Sequence, residues 1–265
     1  MIINNNISSL TATNALSKTE SAMNKSIEKL SSGLRINRAA DDAAGLAVSE
    51  KMRSQIRGLE VAKRNTQDGV SLVQTAEGSM DEIHNMLQRL RELNVQATNG
   101  IYTTEDKDNL QAEADELLTQ IEEIATKSNF NGVNLLNGGG DINLQVGINK
   151  GDQITIEAVD VTVATLDIDA LDITDEDSLA KLDAAIQTVS TERATLGAIQ
   201  NRLEHTLADI TNTHENLSAA ESRIRDVDMA SEMATYSSKQ VLLQAGMSVA
   251  AQANSKTSMV TKLLG

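Results

Sequence analysis

The sequence contains no cysteine and no proline, and aromatic side chains are almost absent. Its 265 residues include two tyrosines, one phenylalanine and no tryptophan. Without cysteine, the chain has no disulfide, no thiol nucleophile and no cysteine-ligated metal. Because aromatic side chains usually bury the most area in a compact core, their scarcity favours narrow seams between helices. The absence of proline, where average usage predicts roughly 13 residues, permits long uninterrupted helices.

Acidic residues outnumber basic ones by 38 to 23, which gives a formal net charge of −15. This excess argues against nucleic acid or an anionic membrane surface as the main partner. Residues 151–180 hold nine acidic residues and no basic one, whereas the first 40 residues lean basic and no acid follows Glu232. We therefore expect a solvated middle segment and interaction segments at the two ends.

The start of the chain, MIINNN, lacks the basic and apolar regions of a cleavable secretory signal. No run of 18 apolar residues is present, so no segment is expected to insert into a membrane. These two rules alone predict a cytoplasmic protein, an expectation that the family resemblance below overrides.

Apolar residues at helical spacing predict one helix at each end of the chain. The first ends at a break at Ser32-Gly33, and the last covers Met229 to Gly265. Both helices have thin apolar stripes, so each would be marginal alone in water and needs a partner. The stripe residues are Ile3, Ile7, Leu10, Leu16, Met23, Ile27 and Leu30, and Met233, Leu243, Met247 and Leu264.

A much longer pattern of period near 3.5 runs from Ala43 to Thr98 and ends at Asn99-Gly100. Such a helix would be roughly 70–80 Å long. Thr104, with acidic residues directly after it, is the predicted N-cap of a third helix. Its seam follows a heptad pattern: Leu110, Ala114, Leu117, Ile121 and Ile124.

Between residues 130 and 173 the period changes from 3.5 to 2. Two alternating segments, 142–148 and 154–156, flank a turn signal at 149–152 and predict a β-hairpin. The three glycines at 138–140 are interpreted as a flexible lead-in. Alternation of Leu166, Ile168 and Ala170 with acidic residues suggests one more short strand or an extended edge.

The strongest single signal is a series of seven apolar residues spaced seven apart, in a helix whose predicted cap is Thr174. Sustained heptads of this length are typical of a coiled-coil-like seam. The predicted fold is mostly α: a long antiparallel coiled-coil-like helix bundle with a small β-hairpin and with terminal helices that pair coaxially. The seam residues are Leu182, Val189, Leu196, Leu203, Ile210, Leu217 and Ile224.

No group of residues indicates catalysis. The three histidines, His84, His205 and His214, stand in no metalloprotease motif. The Gly138–Asp141 stretch lacks the register of a calcium-binding repeat, and the acidic stretch 167–177 lacks the glycine and final glutamate of an EF-hand. We predict no enzyme activity, no cofactor and no metal.

Several motifs resemble the terminal regions of bacterial flagellins. LSSGLRINR at 30–38, DDAAGLA at 41–47 and QDGVSLVQTAEG at 67–78 resemble the N-terminal region. The C-terminal resemblance rests on three further runs: SRIRDVDMASE at 222–232, QAG at 244–246 and AQAN at 251–254. Together the resemblance covers about residues 1–135 and 180–265.

This resemblance implies a structural subunit that polymerises into the extracellular flagellar filament used for motility. It implies that residues 1–42 and 219–265 form an inner-tube domain, whose self-assembly residues are those of the two terminal stripes. Residues 43–218 would form the helical shell, with the hairpin at about 130–173. The terminal segments would become ordered on assembly. The short middle implies a slim subunit without large outer domains.

The resemblance also implies partners. Besides further copies of the chain, these are hook-junction and cap proteins, and an export chaperone that binds the C-terminal segment. Export through the flagellar type III channel would need no cleavable signal peptide. Arg89, Leu93 and Glu113 match key positions of the patch that Toll-like receptor 5 (TLR5) senses.

Three alternatives remain at this point. A hook–filament junction protein would share the export system but would not form extended polymers. A soluble adaptor would bind helices of other proteins and form no fibres. An enzyme would need a metal site that the sequence does not reveal.

Overall fold

The computed structural model describes residues 6–264 except Ala170 and Glu176, and it describes only the backbone at 257, 258 and 260–264. The predicted stripe residue Ile3, the side chain of Leu264, and Ala170 therefore lie outside the described residues. The helices are α1 (Ile7–Ser32), α2 (Ala43–Ala97), α3 (Thr104–Lys127), α4 (Ser178–Arg225) and α5 (Met229–Leu264). The strands are β1 (Asn129–Phe130), β2 (Val133–Asn134), β3 (Ile142–Gln145) and β4 (Gln153–Ile156).

The chain divides into two compact units. Met1–Ser54 and Asn216–Gly265 make the first, named here the terminal unit, and Gln55–Glu215 makes the second, the central unit. The mostly α fold with long helices and a small hairpin is confirmed. Among the described residues, no helix combines the length and the apolar character that crossing a bilayer requires.

The core of the central unit is formed by α2, α3, α4 and the segment 135–173. The largest fully buried side chains of the helices include Met80, Ile83, Leu87, Leu90 and Ile121. In α3 the buried row is Ala114, Leu118, Ile121 and Ala125, while the predicted Leu110, Leu117 and Ile124 are half-buried against the same core. The apolar face of α3 is thus wider than a two-helix seam, as a helix that contacts more than one neighbour requires.

Two predicted helix starts were wrong. The N-cap of α3 is Thr103, one residue earlier than predicted: its side chain accepts from the Asp106 N–H, and the Asp106 carboxylate accepts from the Thr103 N–H. The fourth helix begins at Ser178 and not after Thr174. The Thr174 N–H and hydroxyl instead donate to Asp172 Oδ1 at 2.8 and 2.6 Å, which holds a turn.

The predicted hairpin is confirmed as β3 paired with β4, from Ile142 opposite Ile156 to Gln145 opposite Gln153. Gly138 and Gly140 adopt positive φ, and beside them the Ala158 N–H donates to Asp141 Oδ1 at 3.0 Å. The flexibility of this lead-in stays a prediction. The short strand predicted at Leu166 was wrong. Residues 163–167 form a turn, although Leu166 and Ile168 are buried as their alternation indicates.

A second hairpin, β1–β2, was not predicted. Its two-residue turn is Asn131-Gly132, with φ of 52° and 81°. Positive φ at both positions matches the Asn-Gly turn that favours tight hairpins, so this dipeptide was the available signal.

The β3–β4 hairpin packs closely on α2 at two glycines. A side chain at Gly58 would meet Ile148 Cγ2 at 2.7 Å, and one at Gly69 would collide with Leu144 Cδ1. The Asn65 amide also donates to the Gln145 carbonyl at 3.0 Å. The hairpin therefore packs so closely on α2 that a larger residue at either glycine would have to displace the side chain of Ile148 or Leu144.

Candidate self-assembly interface

The terminal helices α1 and α5 pair in antiparallel fashion. The Asn6 amide donates to the Ala253 carbonyl at 3.1 Å, near the start of α1 and the end of α5. Toward the other end of α1, Lys239 Nζ donates to the Ala22 carbonyl and to Ser26 Oγ at 3.2 and 2.9 Å. The partners run in opposite directions along the two helices, so the predicted pairing is present.

The seam between these helices follows heptads, but small and polar side chains fill most of it. Its less exposed positions alternate by three and four residues in both helices. Large apolar side chains are a minority there, and no apolar side chain of α1 is fully buried. The seam positions are Ser9, Ala12, Leu16, Thr19, Met23, Ser26 and Leu30 in α1, and Tyr236, Lys239, Leu243, Gly246, Ala250 and Ala253 in α5.

The predicted stripe residues separate into two groups. Leu16, Met23, Leu30 and Leu243 are half-buried in the seam. The other stripe residues whose side chains the structure describes lie outside the seam: Ile7 and Leu10 are 63% and 64% exposed, and Ile27, Met233 and Met247 are also exposed. The pairing of α1 with α5 therefore uses only part of the predicted apolar surface.

Helix α5 carries large apolar side chains on all its sides. At about 100° per residue, Val241 and Val249 lie roughly 80° apart, and both lie away from the α1-facing row. Leu242, exposed as well, extends this apolar surface. A helix that is apolar all round is normally enclosed, so one neighbour, α1, does not satisfy it.

The predicted single apolar stripe per helix did not include the apolar side chains on the other sides of α5. The signal was present: residues 241–243 are three consecutive large apolar residues, which no single helix face can hold. The polar seam residues Ser26 and Lys239 were also missed. Their heptad spacing was readable, but serine and lysine give no apolar signal.

Next to the helix pair, the two chain segments that carry the LSSGLRINR and SRIRDVDMASE motifs bind each other. The Arg35 N–H donates to the Arg225 carbonyl at 2.6 Å, and the Val227 N–H donates to the Gly33 carbonyl at 3.0 Å. Gly33 has a φ of 72°, a conformation that favours glycine and ends α1. The motifs thus form a two-segment connector at one end of the helix pair.

Charged side chains hold this connector. Arg225, only 9% exposed, donates from Nη1 to Glu50 Oε1 at 2.5 Å. Arg38 pairs with Glu28 at 2.8 Å. Backbone hydrogen bonding from Arg38 lowers the pKa of the Asp41 carboxyl, which therefore stays ionised as it closes its turn.

The predicted shell seam lies along α4. Five of its residues are buried in the central unit, and Leu217 and Ile224 are half-buried in the terminal unit. The buried five are Leu182, Val189, Leu196, Leu203 and Ile210.

The predicted receptor patch has two exposed members. Arg89 donates to Glu113 Oε1 from Nε and Nη2 at 2.9 and 2.7 Å, and this hydrogen bond raises the pKa of the guanidinium. Leu93 is fully buried and belongs to the core. The surface that a receptor would meet is therefore the Arg89–Glu113 pair, and the patch remains a prediction.

No group of three or more His, Cys, Asp or Glu side chains suited to a metal ion occurs in the part of the chain that the structure describes. The notable features of the terminal unit are instead an uncovered apolar surface and a connector built from two sequence motifs.

Comparison with known protein families shows which family regions contain these motifs. Residues 3–141 match the bacterial flagellin N-terminal helical region, and residues 179–264 match the bacterial flagellin C-terminal helical region. The chain belongs to the bacterial flagellin family. It is a structural subunit of the flagellar filament, located in the extracellular flagellum, and not an enzyme.

Curated relatives match this flagellin-family chain along their whole length. It is 48% identical to a flagellin of Halalkalibacterium halodurans, 46% identical to flagellin FlaB2 of Treponema pallidum and 45% identical to a flagellin of Bacillus subtilis. Each of these matches covers 100% of both chains, which confirms the predicted short form.

A solved structure shows the same relationship. The crystal structure of Bacillus cereus flagellin is 37% identical to this flagellin-family chain, with a TM-score of 0.52. That match covers 60% of this chain and 94% of the other.

Proposed function

We propose that the chain polymerises through the uncovered faces of α1 and α5, which further copies of the same chain cover. The observation that carries this proposal is the apolar surface on all sides of α5, of which α1 covers only one. The terminal unit has 12 basic and 9 acidic residues, so its low net charge opposes close packing of copies only weakly.

The contacts between copies are heterologous, because the exposed faces of α1 and α5 differ from each other. Heterologous contacts that do not close into a ring generate an open helical array. In the free chain the thin α1–α5 seam is marginally stable, and burial against neighbours offsets the entropy of ordering it. The terminal helices therefore become ordered on assembly, and the filament they build serves motility.

Within the filament, residues 1–42 and 219–265 form the inner tube and residues 43–218 form the shell. The polar, short-side-chain seam of α1 with α5 supports this assignment, since it reserves the large apolar residues for contacts with other copies. The heptad seam of α4 supports a self-contained shell.

Other partners follow from the same surfaces. An export chaperone covers the apolar faces of α5 before assembly, and the chain leaves the cell without a cleavable signal peptide. Hook-junction and cap proteins bind at the filament ends. TLR5 recognises the exposed pair Arg89 and Glu113, with Leu93 holding that surface from beneath.

The first test removes α5. Deletion of residues 229–265 should leave the helical central unit folded, as measured by circular dichroism and thermal unfolding, and should abolish filaments in electron micrographs. Normal tubes from the truncated chain would contradict the proposal.

A point variant tests the same surface without truncation. Val241→Glu places a charge on an exposed apolar site of α5, and its matched control, Gln187→Glu, adds the same charge at an exposed site of α4. We expect at least a roughly tenfold higher critical concentration for Val241→Glu, because a buried unpaired charge is costly. Equal assembly of the variant and its control would overturn the assignment of this face.

A further inference from the structure

Four of the nine methionines lie in α5, and all four are exposed. Met229, Met233, Met247 and Met259 keep 47%, 48%, 50% and 59% of their surface exposed. By contrast, Met80 is fully buried in the core of the central unit. The described methionines of α5 and Met80 are thus in opposite environments, the former accessible to small solutes and the latter closed to them.

Three of these methionines form one row. Met229 and Met233 are one turn apart and Met247 lies five turns beyond Met229, so all three project within roughly 40° of one another. This methionine row, Met229, Met233 and Met247, lies beside the α1-facing seam and not within it. It is therefore part of the surface that further copies cover in the proposed function.

The thioether sulfur of an exposed methionine can be oxidised by oxygen transfer from a peroxide. Hydrogen peroxide transfers one oxygen to the sulfur: an S–O bond forms, the O–O bond breaks and water leaves. The sulfur is oxidised by two electrons, and the peroxide is reduced. The product is methionine sulfoxide, which replaces a flexible apolar group by a polar one and can be reduced again by methionine sulfoxide reductases.

We propose that the methionine row is a reversible oxidation site that controls assembly. This inference rests on the proposed function, in which the row is buried between copies. Oxidation of the free chain places polar sulfoxides where the partner surface is apolar, and burial of an unpaired polar group is unfavourable. Within a filament the neighbouring copies shield the same sulfurs, so oxidation acts on subunits before they assemble.

Oxidation of the row leaves the central unit folded and spares the contacts between α1 and α5. The contacts that hold α1 to α5 include hydrogen bonds of Lys239 and Asn254 and the close packing of Leu16 against Gly246. None of them uses a methionine of the row. The sulfoxides therefore change association between copies without changing the fold of the central unit or the pairing of α1 with α5.

The experiment treats the unassembled chain with dilute hydrogen peroxide and locates the added oxygen by peptide mass spectrometry. We expect the row and Met259 to be oxidised well before Met80. Assembly, followed by sedimentation and electron microscopy, should then show a critical concentration at least about tenfold higher. Unchanged circular dichroism would show that the fold remains intact.

Two triple variants separate the row from the other methionines. Met229→Leu with Met233→Leu and Met247→Leu should assemble normally and resist peroxide. The matched control, Met23→Leu with Met52→Leu and Met86→Leu, replaces half-buried methionines and should remain sensitive. Methionine sulfoxide reductases provide a second measurement that needs no variant, since they should restore assembly of the oxidised wild-type chain.

The outcomes distinguish this inference from the proposed function. If oxidised wild-type chain assembles as well as untreated chain, or if reductase treatment fails to restore assembly, the inference is wrong while the proposed function stands. If Val241→Glu assembles like its control Gln187→Glu, the proposed function fails, and the inference fails with it.

Discussion

The terminal and central units use apolar side chains in opposite ways. Among the described residues of the terminal unit, Ile36 is the one fully buried large apolar side chain, whereas the central unit encloses a continuous core along α2, α3 and α4. Charge differs as well: the terminal unit has 12 basic and 9 acidic residues, and the central unit has 11 basic and 29 acidic residues.

The difference teaches how one chain combines a stable subunit with a surface reserved for assembly. Three packed helices can enclose a core, but two helices always leave most of their circumference uncovered. The central unit is therefore stable through its own contacts. The terminal unit depends on neighbours, and its near-neutral charge lets them approach.

The largest expected effect comes from truncating one leucine in each unit. Leu90→Ala removes a fully buried side chain of the central unit and should lower the free energy of unfolding by about 3–5 kcal/mol. Leu243→Ala, in the half-buried seam of the terminal unit, should cost less than about 1.5 kcal/mol in the unassembled chain. Urea unfolding followed by circular dichroism measures both.

The order of the two variants should be reversed in filament assembly, where the measured quantity is the critical concentration. At a concentration where both variants are folded, Leu243→Ala should raise the critical concentration more than Leu90→Ala does. If both variants lowered the free energy of unfolding equally, the terminal unit would have a core of its own and the comparison would fail.

A smaller effect distinguishes two glycines of α2 that both lie in the central unit. Gly69→Ala forces Leu144 away from α2, and such overpacking typically costs about 1–3 kcal/mol. Gly78 has open space around it, so Gly78→Ala should instead stabilise the helix by about 0.5–1 kcal/mol. Thermal unfolding of the two variants checks the opposite signs, and stabilisation by both would show that the hairpin does not depend on this close approach.

The smallest effect concerns the cap of α3. Thr103→Ala removes the capping hydroxyl and should cost about 1 kcal/mol of stability at neutral pH. The Thr103 hydroxyl also lowers the pKa of the Asp106 carboxyl below its usual 3.8. Because a depressed carboxyl pKa stabilises the folded state above that value, this contribution should disappear as the pH falls below about 4.

Unfolding of wild type and variant at pH 7 and near pH 3 measures the change. A difference between the two proteins that stayed constant over this range would rule out the ionised Asp106 as part of the cap.

The sequence predicted well wherever one physical signal dominated. The heptad spacing in α4 predicted a seam in which Leu182 and Leu203 are fully buried. The alternation of apolar and polar residues predicted β3 and β4. Errors arose where local signals competed. Thr103 and Thr104 are equally good caps by composition, and the alternation of Leu166 with Ile168 fits a buried turn as well as a strand.

The interface was harder to predict than the core. The terminal stripes were identified, but the side that α1 and α5 turn toward each other was not, because Ser9, Ser26 and Lys239 carry no apolar signal. Sequence patterns report which residues are apolar. They do not report which apolar residues are left for another copy of the chain.

Amide hydrogen exchange, compared between the unassembled chain and the filament, tests the central claim most directly. We predict rapid exchange along α1 and α5 in the unassembled chain and strong protection of both helices in the filament. Amides in the buried stretch of α2 around Leu90 should be protected equally in both states. Equal protection of α1 and α5 before and after assembly would contradict the account, since the terminal unit would then be stable without its neighbours.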